Sequence, residues 1–193
     1  MHTKLRYIEE LVDIRKTIEN KVVFLDVDGV LTYSKYTNPK TENIDIEKVK
    51  MLKEICSATG AKVVISSSWR GDGTKIPHIY HKLLVILMNN GIEVIGETPH
   101  IPAEFEGDVP EIIALTTLED LAHLKVLHGT GRAAEVQKYI EDNNVDRFVI
   151  LDDEDHDWAD YGYDNYWVQS DWHGDKGGLQ REHVSKAVTI LNK

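Results

Sequence analysis

The sequence predicts an α/β protein built on a parallel sheet of about five strands with helices on both faces. Two observations lead there. Short apolar runs alternate along the chain with longer stretches of helical periodicity, the pattern of strands buried on both sides. Three polar clusters, Asp26/Asp28, Ser66–Ser68 and Asp152/Asp153, each follow an apolar run directly, so all three fall at carboxyl ends of strands. Open sheets of this class bind ligands beyond those ends, at a topological switch point.

The elements follow in order. Residues 3–19 carry Leu5, Ile8, Leu11, Val12 and Ile18 at helical spacing, which predicts an amphipathic leading helix that covers a sheet or a neighbouring subunit. Residues 22–26 form the first strand. After a polar loop over 33–43, residues 45–58 read as a helix with Ile46, Val49, Leu52, Ile55 and Cys56 inward, stopped by Gly60. AKVVIS, 61–66, is the second strand, 77–90 a helix ended by Asn90-Gly91, and IEVIG, 92–96, the third strand. Pro99, Pro102 and Pro110 break the pattern over 97–128, whose second half holds one or two short helices. Residues 132–143 are a helix, 147–153 a strand, 165–169 a short final strand and 179–192 a closing helix.

Bulk composition narrows the class. The 193 residues suit a single domain over 1–193, and 41% hydrophobic content with 28% charged is that of a soluble globular protein. The single cysteine, Cys56, excludes a disulfide within the chain and fits a reducing compartment. No apolar run approaches the ~20 residues of a membrane span, and MHTKLRYIEELVDIRK lacks the apolar block of a signal peptide. The expected location is cytoplasmic. A net charge of −11 suits non-specific grip on nucleic acid poorly, so no stable duplex binding is expected.

The converging residues suggest phosphoryl transfer. Asp26 and Asp28 would repel unless something positive binds between them. A carboxylate at Asp26 can attack a phosphoryl group, and a carboxyl group at Asp28 can protonate the departing alkoxide and later take a proton from water. Asp152 and Asp153 offer hard oxygen ligands for Mg²⁺. Ser66 and Ser67 can hold phosphate oxygens, and Arg132, at a helix start, can balance charge. Each feature has a plainer explanation. Asp-Gly marks turns, three serines make a loop, 152–155 is an acidic turn, and Arg132 is a helix-end surface residue. Their shared location favours the catalytic reading.

These residues resemble the haloacid dehalogenase (HAD) superfamily. VVFLDVDGVLT is similar to its first motif, VVISS to its second and FVILDD to its fourth, and Arg132 falls where the third motif places Lys or Arg. The resemblance covers roughly 21–180. It implies a Rossmann-like sheet in spatial order fifth-fourth-first-second-third strand. It also implies Mg²⁺ held by the Asp26 carboxylate, the Asp28 backbone carbonyl and Asp152, and an acid at Asp28 resembles the phosphatase and phosphomutase branches. SSSWR, VIGETP, GRAAEVQKYI and a late GGL resemble the HAD domain of Swiss Army Knife RNA-repair proteins. A nucleotide or nucleic-acid end is then the implied substrate, with Arg70 reaching a phosphate and Trp69 stacking on a base. Trp69 as a core or lid aromatic is the alternative. Residues 97–128 depart from that group and are a candidate small cap. Two rival readings stand. One is a phosphatase of small sugar phosphates, forming oligomers. The other is a HAD-fold binding module without turnover.

Overall fold

In the computed structural model, which describes residues 19–71, 77–104 and 126–193, five strands form one sheet. In chain order they are β1 (Lys21–Leu25), β2 (Lys62–Ile65), β3 (Val94–Glu97), β4 (Arg147–Asp152) and β5 (Trp167–Gln169). They lie side by side as β3-β2-β1-β4-β5, every pairing parallel. Both the α/β class and the strand order agree with the expectation from sequence. Among the described residues four α-helices accompany them: α1 (Ile46–Thr59), α2 (His78–Asn89), α3 (Gly131–Asn143) and α4 (Arg181–Leu191).

The alternation of side chains along the strands divides the interior into two cores. Val23 and Leu25 of β1, with Val63, Ile65, Val149 and Leu151 beside them, pack against Val49, Leu52 and Ile55 of α1, Leu83 and Leu87 of α2, and Leu191 of α4. Val22 and Phe24, with Val64 and Ile150, face the other way against Val136 and Tyr139 of α3 and against Trp158. Phe24 meets the Tyr139 ring edge-on at 5.6 Å. Each such fully buried apolar side chain contributes about 1.5–3 kcal/mol relative to exposure.

Helix boundaries follow local chemistry. Asp45 caps α1 by accepting from the Glu47 N–H at 2.9 Å, and Gly60 ends it in the left-handed region at φ +74°. The third strand begins two residues later than the sequence suggests. Ile92 turns into the core while the Glu93 carbonyl accepts from Val63 N–H, and a register shift between Val63 and Val64 follows. The expected leading helix over 3–19 lies outside the described residues except for Glu19, as do residues 105–125 of the candidate cap. Among the described residues no helix is long and apolar enough to cross a membrane.

The sheet fixes the site through backbone bonds just past each strand. Asp26 N–H donates to the Leu151 carbonyl at 2.9 Å, Ser66 N–H to Leu25 at 2.8 Å and Ser170 N–H to Asp152 at 3.2 Å. The residues following β1, β2, β4 and β5 are thereby held on one edge.

Candidate active site

Three carboxylates gather at that edge. Asp26 and Asp152 are buried and Asp153 is half-buried, and each offers an oxygen within 4.8 Å of the other two. Burial and the charge of Asp152 push the Asp26 carboxyl up to about 7, against the opposing pull of Arg132. Burial, then Asp152 and Glu154, push Asp153 up to about 6. Acids held this close, with Asp26 and Asp153 pushed upward, are a set that a cation would relieve. An all-oxygen set of this spacing fits a hard divalent ion such as Mg²⁺. Gly29 makes the approach possible. At φ +68° it turns the chain sharply, and a Cβ there would lie 2.0 Å from the Asp153 carboxyl carbon.

Arg132 is the cation at the centre. Its guanidinium donates to Asp26 Oδ1 at 3.0 Å and to the Ser66 carbonyl, and lies 3.5 Å from Asp152 Oδ2. Burial opposes its charge, yet Asp26 and Asp152 prevail and hold its pKa above the ordinary value. Ser66 is buried and its hydroxyl has no hydrogen-bond partner among the described residues. Ser67 serves inward. Fully buried, its hydroxyl accepts from Trp69 N–H and its hydrogen bond to Asp26 favours the Asp26 carboxylate.

Asp28 stands beside these groups with both oxygens engaged. Thr32 Oγ1 donates to Oδ1 at 2.8 Å and Trp69 Nε1 donates to Oδ2 at 2.7 Å. The expectation that Trp69 offers a face to a base gives way here. The ring is 9% exposed and belongs to the larger core together with Tyr80 and Leu83, and its N–H is spent on Asp28. Trp69 therefore acts through Asp28 and fixes where its carboxyl group points.

Arg70 also differs from expectation. Its guanidinium is 7% exposed, pairs with Glu135 Oε2 at 2.5 Å and donates to the Thr98 carbonyl at 2.8 Å. A buried carboxylate needs a charged partner, and Glu135 on α3 takes Arg70 as that partner instead of leaving it to a phosphate. Glu135 Oε1 accepts in addition from Ile101 N–H at 3.0 Å and lies, through Oε2, 3.9 Å from Arg132 Nε. Sequence reasoning missed Glu135. Its signal was an acid on the buried face of a helix, beside Ala133, Ala134 and Val136. His156 was missed too. Its Nε2 lies 3.6 Å from Asp152 Oδ1, and although burial works against its charge, Asp152 outweighs burial and raises its pKa. Four positions after Asp152, it was readable only once β4 was known to end there.

Asp26, Asp28, Arg132, Asp152 and Asp153 open into a cleft of about 1050 Å³, whose far wall comes from residues 169–183. The arrangement can hold a cation and a phosphoryl group between a buried carboxylate and a guanidinium.

Residues 22–184 match the family model described as the HAD domain in Swiss Army Knife RNA repair proteins. No curated protein and no solved structure matches the chain.

Proposed function

Because the chain belongs to the family of HAD domains found in Swiss Army Knife RNA-repair proteins, we propose that it is a Mg²⁺-dependent phosphatase acting through an aspartyl-phosphate, on a nucleotide or nucleic-acid terminal phosphate. The observation that carries this is the placement of Asp26. It is a buried carboxylate touching Arg132 at 3.0 Å, at the mouth of a cleft that also holds Asp28, Asp152 and Asp153.

The chain's residues divide the work. The Asp26 carboxylate attacks phosphorus and forms an acyl-phosphate as the bond to the leaving oxygen breaks. Asp28, oriented by Thr32 and Trp69, gives its proton to that oxygen and afterwards takes one from the water that attacks the acyl-phosphate. Arg132 faces the phosphoryl oxygens, where a preformed donor stabilises the charge that builds up, and the enclosed Ser66 lies behind it with its carbonyl on the guanidinium. Mg²⁺, held by Asp26, Asp152, Asp153 and the Asp28 carbonyl, would neutralise that charge further.

The test is hydrolysis of p-nitrophenyl phosphate with and without Mg²⁺. The reading expects turnover by the native protein, loss in excess chelator, and loss in Asp26→Asn. Turnover persisting in Asp26→Asn would overturn it, and no turnover by the native protein would favour a binding module.

A further inference from the structure

Beyond the reacting acids the cleft runs on to the loop after β5. Ser170, Trp172, His173 and Lys176 line it there, with Gln180 and His183 beside the start of α4. This wall is firmly built. Trp172 O accepts from Ser34 N–H at 2.9 Å, Gly178 N–H donates to the Asp171 carbonyl at 2.8 Å, and Leu179 N–H to Val30 at 2.8 Å. The Gln180 amide ties down the carbonyls of Lys176 and Gly177 at 2.8 and 2.9 Å. Gly177 lies so close to Tyr33 that a Cβ would sit 2.6 Å from the Tyr33 Cβ. A loop fixed this way presents its side chains in set directions.

Two of those side chains reach the cleft with no polar or ring partner among the described residues, and a third sits closed beneath them. The Trp172 ring, half-buried on the cleft wall, has no aromatic partner and its indole N–H no acceptor among the described residues. Lys176 is exposed and its Nζ has no carboxylate partner among them. Ser170 is 7% exposed at the cleft, and its hydroxyl oxygen is enclosed with no hydrogen-bond partner among the described residues. A buried hydroxyl without a partner costs stability unless a ligand or water completes it.

We propose that Trp172 and Lys176, on the loop that Ser170 anchors, form the leaving-group subsite of this cleft, and that the substrate class is the phosphorylated end of a single-stranded oligonucleotide. This rests on the phosphatase reading above. Trp172 supplies the stacking face that the buried Trp69 does not, and a stacked base holds the ester oxygen in the reacting cleft. Lys176 takes the next backbone phosphate. Ser170, whose N–H bonds to the Asp152 carbonyl, anchors the start of this loop next to the acids. A small sugar phosphate would use neither ring nor second cation. A cleft of about 1050 Å³ is also far larger than such a substrate needs.

The experiment measures binding of a labelled, terminally phosphorylated pentanucleotide to Asp26→Asn protein, alongside hydrolysis of p-nitrophenyl phosphate by the native chain. Trp172→Ala should raise Kd about 5- to 150-fold, and Trp172→Phe should restore most of it. Lys176→Ala should flatten the dependence of log Kd on log salt by roughly 0.7. Separate 3′- and 5′-phosphorylated oligonucleotides identify which end is read. Unchanged oligonucleotide affinity in Trp172→Ala overturns the subsite, as does equal competition by glycerol phosphate. If p-nitrophenyl phosphate is hydrolysed in that case, the phosphatase reading stands and the subsite alone falls. If no phosphate ester is hydrolysed, the reading falls and the leaving-group subsite with it.

Discussion

Replacing Arg70 with Ala leaves Glu135 buried without its main partner. The pair is 6% and 5% exposed with 2.5 Å between nitrogen and oxygen, so little water can reach the stranded carboxylate. Removing one partner of such a pair costs about 3–5 kcal/mol, most of it the desolvation of the charge left behind. In a domain of this size each kcal/mol lowers Tm by roughly 2–4 °C, so Arg70→Ala should melt about 6–20 °C below the native chain. Two controls isolate the cause. Lys138→Ala breaks a pair of similar length, 3.0 Å, but with both side chains about half exposed, and should change Tm by only a few degrees. Arg70→Met with Glu135→Leu removes both charges and should recover most of the loss. The assay is thermal unfolding by circular dichroism, with KM for a phosphate ester measured in parallel. Because Glu135 also lies 3.9 Å from Arg132, a fall in kcat fits the argument. A Tm within about 2 °C of native together with a several-fold rise in KM refutes it, and returns Arg70 to the substrate phosphate.

Trp69→Phe keeps most of the buried ring and deletes the N–H that Asp28 accepts at 2.7 Å; loss of a hydrogen bond to an uncharged acid, about 0.5–1.5 kcal/mol, should slow glycerol phosphate hydrolysis about 2- to 10-fold and p-nitrophenyl phosphate least. Equal slowing of both esters would deny Trp69 its hold on the general acid. Burial pushes the Cys56 thiol up to about 11, so a thiol reagent at pH 8 should label it only after unfolding, and rapid labelling of the native chain would place it at the surface. The same shift has a definite sign: the thiol's contribution is complete below about pH 9, its ordinary value, and is lost as pH rises toward about 11.

The sheet was legible because its information is local. Val22 to Leu25, Val63 to Ile65 and Val149 to Leu151 are continuous apolar runs, and only a strand covered on both faces buries every side chain of such a run. Once those runs are strands of one parallel sheet, Asp26, Ser66 and Asp152 must share an edge, and their convergence needs no further knowledge. What sequence did not disclose is the direction in which the residues beyond the strands turn. Ser-Ser-Ser-Trp-Arg follows β2, and a tryptophan and an arginine at a ligand-binding edge read naturally as substrate contacts. Their orientation is decided elsewhere, by Asp28, 41 positions before Trp69, and by Glu135, 65 positions after Arg70. Neither partner announces itself, since one belongs to a catalytic pattern and the other to a helix. The converse holds at 171–178, where Asp-Trp-His-Gly-Asp-Lys-Gly-Gly lies between the last strand and the closing helix and no periodicity singles out a contact. Backbone bonds to Ser34 and Val30 turn that loop into a wall and leave Trp172 facing the cleft. An aromatic residue near a site is free to stack on substrate when its ring lies on the cleft wall and the fold engages neither its N–H nor its face with another ring. By that physical criterion Trp172 qualifies and Trp69 does not.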